Sequence, residues 1–234
     1  MKMNEFRVIE LKEGVFEHNN EMARNLRETL KQEKIFLLNL MSSPGAGKTT
    51  LLIKTIEALK NEINIAVMEA DIDSDVDAKA VSQTGVKVIQ LHTGGMCHLD
   101  ADMTGQGISN LRQDIQDARC FGGADGCDLI VLENVGNLVC PADFDTGATR
   151  NAMILSVPEG DDKPLKYPKM FQVSDVLIIS KTDSLPVFDF DIDVCAARAK
   201  KLNPNISIFP VSAKTGEGME QWINWLRQNV KNKK

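Results

Sequence analysis

One stretch of nine residues constrains this chain more than any other. Ser42-Ser43-Pro44-Gly45-Ala46-Gly47-Lys48-Thr49-Thr50 follows the apolar run 35–41 and leads directly into the helical stretch LLIKTIEALKN. Small residues between a strand and a helix let backbone N–H groups turn inward on an anion. The helix N-terminus adds its dipole, the lysine reaches terminal phosphates, and the hydroxyl after it can hold Mg²⁺. Ser42 stands where the usual pattern has its first Gly, a position that begins the turn rather than touching phosphate most closely. A chain carrying this segment needs a buried strand that opens onto a phosphate-binding turn, which points to an α/β architecture.

The rest of the chain has the rhythm this requires. Apolar runs at 35–41, 63–69, 86–91, 128–135, 151–157, 175–180 and 206–211 alternate with helical stretches, predicting about seven strands. Their hydrophobicity is continuous rather than alternating, which suits strands buried on both faces and joined by helical crossovers. The expected fold is therefore α/β: a doubly wound, mainly parallel, seven-stranded P-loop NTPase sheet flanked by helices. Ligands of such sheets sit at the carboxyl ends of the strands. Before the first strand, Met22, Leu26 and Leu30 recur at i, i+4 and i+8 after the candidate caps Asn19 and Asn20, predicting an amphipathic helix over 17–33. Residues 1–34 thus read as a helical extension packed on the core, and 35–234 as the nucleotide-binding domain.

Composition serves mainly to exclude. The 234 residues are 43% hydrophobic and 26% charged, the balance of a globular chain rather than a disordered or coiled-coil one. A net charge of -6 argues against a broad basic face for nucleic acid. The opening MKMNEFRVIELKEG has no apolar signal region, and IFLLNLM and DLIVLENV are too short or interrupted to span a bilayer. The expectation is a cytoplasmic protein with neither a membrane nor a nucleic-acid partner. Five cysteines, an odd number in a chain this long, favour reduced thiols over a disulfide framework.

Residues at the strand ends supply the candidate site. Gly45, Ala46, Gly47, Lys48, Thr49 and Thr50 form the phosphate loop. Asp71 follows the second strand, where a carboxylate can orient Mg²⁺ or an attacking water, whereas Asp73 and Asp75 read as solvated acids. Glu133 closes the fourth strand and is placed to hold the Mg²⁺ shell with Thr49 and Asp71; Gly136 is placed for its N–H to sense a γ-phosphate. Lys48, Thr49, Asp71 and Glu133 are the expected catalytic set. Ser180-Lys181-Thr182-Asp183 and Ser212-Ala213-Lys214 end later strands and look like a guanine-reading pair. In it Asp183 accepts from N1 and N2 of the base, Lys181 flanks the ring and the Ala213 amide meets O6. Ser180 replaces the usual Asn there, removing one supporting hydrogen-bond network.

A second constellation is made of soft ligands. Cys97 and His98 follow the third strand and Cys140 follows the fourth, so both loops leave the same edge of the sheet. Thiolate and imidazole donors suit Zn²⁺ or Ni²⁺ rather than Mg²⁺ or Ca²⁺. Cys120, Cys127 and Cys195 read as small buried hydrophobes, and His18 and His92 as surface or packing residues. Gly136 lies four positions before Cys140, so a loop shift on gaining or losing a γ-phosphate moves a metal ligand directly. Three protein ligands leave a tetrahedral ion incomplete, which a second subunit can complete.

The segments GKTT, EADIDSDVDA, TGGMCHLDA, LENVGNLVCPADFDTG, SVPEGDDKPLKYP and SKTD together resemble the HypB family of GTPases, which help insert nickel into hydrogenase; the likeness runs from about residue 20 to near the end. The resemblance implies a GTP-hydrolysing metallochaperone using GTP/GDP, Mg²⁺ and Ni²⁺ or Zn²⁺. It also implies an interface metal site of Cys97, His98 and Cys140, a P-loop from Gly45 to Thr49, and base-reading residues Lys181 and Asp183. The partners implied are a second copy, in a dimer dependent on nucleotide and metal, and a nickel-accepting hydrogenase maturation protein or the hydrogenase large subunit. Some members carry an N-terminal Cys-rich motif or a His-rich stretch; here the first Cys is Cys97 and there are three His. Two alternatives stand beside this reading. One is a urease-type GTPase like UreG, whose Cys-Pro-His differs from Val139-Cys140-Pro141-Ala142 here, and the other is a nucleotide-dependent metal-sensing regulator without useful turnover.

Overall fold

The computed structural model describes residues 11–72, 74–114 and 126–232. Helix α1 (Leu11–Gln32) precedes β1 (Phe36–Ser42), α2 (Lys48–Leu59), β2 (Ile65–Asp71), α3 (Val76–Ser82), β3 (Lys87–His92), α4 (Ala101–Asp114) and β4 (Leu129–Glu133). There follow α5 (Cys140–Asp143), β5 (Arg150–Ser156), α6 (Lys163–Lys166), α7 (Pro168–Val173), β6 (Val176–Ser180), α8 (Ile192–Leu202), β7 (Ser207–Pro210) and α9 (Met219–Lys231). All seven strands join one parallel sheet in the order β3-β2-β4-β1-β5-β6-β7.

Central strands are buried on both faces, as continuous apolar runs demand. Along β1, Phe36, Leu38 and Leu40 pack with Leu52 and Ile56 of α2 and with Trp222 of α9. Leu37 turns to the opposite face, toward Leu30 of α1 and Leu111 of α4, and Met41 joins Phe171 of α7 and Cys195 of α8. The Trp222 indole is almost wholly buried, and its Nε1–H donates to Thr55 Oγ1 at 2.9 Å, so no buried donor is left unsatisfied there.

Helix α1 extends over Leu11–Gln32 rather than starting near residue 17, so Asn19 and Asn20 lie within it and are not caps. Asn19 is buried and bonds distant backbone instead. The predicted strand over 128–135 stops at Glu133; Asn134 still donates its backbone N–H to Leu40 O at 2.9 Å and uses its side chain to hold neighbouring segments.

The sheet order determines which loops meet. The chain leaves β1 toward β2 on one side and leaves β4 toward β5 on the other. The segments after β1 and β4 therefore open side by side, in the place where doubly wound sheets bind ligands.

Candidate functional site

The phosphate loop is braced from three directions. Gly47 adopts φ 92°, a left-handed conformation that side-chain-bearing residues rarely take, and caps the start of α2. Lys48 Nζ donates to Ser42 Oγ at 3.1 Å, and the Ser43 hydroxyl donates to Glu159, whose other oxygen accepts from Ser156 N and Oγ at 2.9 and 2.7 Å. From β6, the Ser180 hydroxyl donates to Ala46 O and Lys181 Nζ to Gly45 O, each at 2.7 Å. Ser180, in the place of the usual Asn, thus makes its own tie to the loop. From β4, Gly136 approaches so closely that a Cβ there would lie 3.1 Å from Pro44 N.

Beside the loop is a cavity of about 260 Å³ lined by residues that include Gly47, Thr50, Ser180, Lys181, Asp183 and Lys214. Ser212 Oγ donates to Asp183 Oδ1 at 2.7 Å, and Lys214 Nζ lies 4.0 Å from Oδ2. Ala213 also lines this space. The structure therefore brings the two sequence-predicted base-reading segments to one cavity against the P-loop.

Under the loop, Thr49 Oγ1 donates to Glu133 Oε1 at 3.0 Å. Parallel pairing sets Glu133 opposite Glu69 of β2, and with Asp77 of α3 their carboxylates fall within 4.8 Å of one another. Burial, reinforced by the Glu133 charge, pushes the Glu69 carboxyl up to about 11. Burial also raises Glu133, opposed by its hydrogen bond with Glu69 and by the Lys48 ammonium. One oxygen of each is buried and without a hydrogen-bond partner, as expected of carboxylates arranged for a cation. Asp71 departs from expectation, because its Oδ1 accepts from Ser74 N at 2.9 Å and it stands outside this group. Nothing in the local sequence around Glu69 or Asp77 marks either as a ligand; strand alternation puts 69 and 71 on one face, but only the β2–β4 pairing selects 69. Asp75, exposed, pairs with Lys79 as a solvated acid, and Asp73 lies outside the described residues.

Cys97, His98 and Cys140 also converge, with ligand atoms within 4.8 Å of one another. The two sulfurs lie 2.7 Å apart and both thiols are free. Cys97 beside it, and burial, raise the Cys140 thiol, while desolvation lowers the His98 imidazole and favours its neutral form. Two sulfurs and a neutral ring nitrogen are donors for a borderline-soft divalent ion, and such an ion would displace the thiol protons. Side chains flanking Gly136 stitch the two loops together. Asn134 Oδ1 accepts from Leu99 N at 3.3 Å, and Asn137 Nδ2 donates to Cys97 O at 3.5 Å. Cys127 and Cys195 are buried apart from this group, Cys195 with its thiol pushed up to about 12 by desolvation. Cys120 lies outside the described residues, and His18 and His92 are exposed.

The chain is similar to known proteins over most of its length. Residues 36–210 match the family described as CobW/HypB/UreG, nucleotide-binding domain. The hydrogenase maturation factor HypB of Azotobacter chroococcum mcd 1 is 44% identical over 226 residues, covering 97% of this chain and 70% of the relative. The crystal structure of HypB from Helicobacter pylori in complex with nickel superposes with a TM-score of 0.82 at 37% identity, covering 92% of this chain and 95% of that one. The crystal structure of the hydrogenase maturation factor HypB from Archaeoglobus fulgidus gives 0.80 at 36% identity, covering 92% and 99%.

Proposed function

Because the chain belongs to the CobW/HypB/UreG nucleotide-binding family, and within it to the HypB hydrogenase maturation factors, we propose that it is a GTP-hydrolysing metallochaperone. In this reading nucleotide state sets the affinity for Ni²⁺ or Zn²⁺, and nickel is handed on during hydrogenase maturation. The recipient is a nickel-accepting maturation protein or the hydrogenase large subunit, met in the cytoplasm. Among the described residues no helix is long and apolar enough to cross a membrane.

GTP is the preferred nucleotide because Asp183, with one oxygen oriented by Ser212, offers a carboxylate to the two donors on the guanine edge. The N–H groups of residues 45–50 and the Lys48 ammonium take the phosphates. Thr49 and Glu133 hold Mg²⁺, joined by Asp77, while Asp71 shapes the turn that delivers α3. When bound, that ion neutralises charge developing on the transferring phosphoryl group. Intrinsic turnover is slow, on the order of 10⁻⁴ to 10⁻² s⁻¹, as for switch GTPases without a supplied arginine.

The observation that carries the reading is one segment with two contacts: Gly136 rests on Pro44 of the P-loop, while Asn134 and Asn137 beside it hold the Cys97–His98 loop. Displacement of Gly136 by a γ-phosphate therefore moves the ligand frame, and by linkage metal alters nucleotide affinity equally. With three ligands per chain, a second copy sharing the ion completes the coordination. Metal titration and sizing of wild type and Cys140→Ala, each with GDP and with a non-hydrolysable GTP analogue, test this. Nucleotide-dependent metal affinity and dimerisation are expected in wild type, with metal binding lost and GTP binding kept in Cys140→Ala. Identical metal binding in all four samples overturns the coupling.

A further inference from the structure

A ligand imidazole has to aim its lone pair at the ion within about 10–20°, and a metal-bound His usually gains that constraint by donating its other ring N–H to a carboxylate or carbonyl. Among the described residues no such acceptor is bonded to the His98 ring. The ring instead lies flat on Phe144, with centroids 3.8 Å apart and planes 17° from parallel. Phe144 in turn meets Phe16 of α1 at 5.1 Å, tilted by 40°.

The same helix grips the backbone on both sides of the site. Buried Asn19 accepts from Ala101 N through Oδ1 at 2.9 Å and donates from Nδ2 to Asp145 O at 3.0 Å. Ala101 lies shortly after His98 and Asp145 shortly after Cys140, so one side-chain amide bridges the two ligand-bearing segments. Two turns further along, Arg27 donates to both carboxylate oxygens of Asp145, at 2.7 and 2.9 Å, and from Nε to Ala148 O at 2.9 Å.

We propose that α1 is the seat of the metal-binding imidazole: Asn19 and Arg27 set the spacing of the two ligand-bearing segments, and the Phe16–Phe144 pair sets the plane of His98. Phe144 and Asn19 are thus positioning residues acting on the ion through other groups. The proposal rests on the reading of Cys97, His98 and Cys140 as a metal site. Stacking is suited to this task because it restrains ring tilt while leaving both ring nitrogens free, one for the ion and one for water or a second subunit.

The test is Ni²⁺ titration of the full chain with GDP bound, against a competing chelator, following thiolate-to-metal absorption. Phe144→Ala is expected to lower Ni²⁺ affinity about tenfold, the lower end for loss of a residue supporting a metal ligand, while the thiolate band persists because both sulfurs remain. Phe144→Tyr restores affinity. In a His98→Ala background, Phe144→Ala has no further effect, since a residue acting only through the ring has nothing left to orient. Asn19→Ala lowers Ni²⁺ affinity and leaves GTP-analogue binding unchanged. Wild-type affinity in Phe144→Ala, an equal loss in both backgrounds, or loss of nucleotide binding in Asn19→Ala overturns the proposal. A wild type with no thiolate band overturns the metal-site reading, and this proposal with it.

Discussion

A carboxylate reads guanine only while both oxygens stay near the plane of the base, and Asp183 is restrained by the Ser212 hydroxyl at 2.7 Å. Asp183→Asn leaves one base donor facing an amide N–H₂. The expected result is a loss of GTP-over-ATP preference of about 10- to 100-fold, the cost of one or two unpaired polar groups, read by competition binding. Xanthosine triphosphate, which presents a carbonyl where guanine presents N2, should gain affinity. Equal ATP and GTP binding by wild type would remove the guanine assignment. Glu69 gives a pH dependence whose sign is determined. Its folded pKa is about 11, well above the ordinary 4.5, so its contribution to stability is full below the ordinary value and is lost as pH rises through that window. Glu69→Gln keeps a neutral side chain at every pH. Its melting temperature should therefore gain on wild type by about 2 °C or more per pH unit in that window, and a pH-independent difference between the two proteins would contradict a protonated Glu69.

Among the elements, the phosphate loop is held less by its own residues than by the ends of β4, β5 and β6. Ser180 and Lys181 take the Ala46 and Gly45 carbonyls, Glu159 takes the Ser43 hydroxyl, and Gly136 lies against Pro44. Serine at position 180 therefore keeps a tie to the loop, since its hydroxyl reaches the Ala46 carbonyl directly. The Gly136 contact is the most exacting, because an added Cβ would meet backbone atoms rather than a flexible side chain. Gly136→Ala should lower GTP-analogue affinity about tenfold, within the 1–3 kcal/mol of overpacking, and, because Asn134 and Asn137 beside it hold the Cys97–His98 loop, also change the Ni²⁺ affinity of the nucleotide-free protein. Isothermal titration of both ligands checks this; an unchanged Ni²⁺ affinity would separate Gly136 from the ligand frame. The strand ends are readable as ligand positions from the run-on apolar pattern, but which end touches which part of the loop follows from strand order.

At the scale of the whole molecule, Cys97 follows an edge strand, β3, and Cys140 follows β4, with β2 between them. The sulfurs meet only because the loop after β3 turns back toward β4, where Asn134 and Asn137 hold it and α1 covers it. Local sequence alone determined the phosphate turn, the seven strands, their parallel sense and Cys97, His98 and Cys140 as candidate soft ligands, because each depends on chemistry within a few neighbouring residues or on a continuous apolar run, although the edge strands β3 and β7 are only partly buried. Tertiary structure alone decided that Glu69 rather than Asp71 faces Glu133, that Ser180 reaches the loop, and that Asn19 lies inside a helix gripping two distant segments. These outcomes depend on which strands become neighbours and in what register, and a one-residue slip in a strand exchanges the side chains on its two faces. That pairing is settled by packing the whole sheet between its helices, a balance no single segment of the sequence contains.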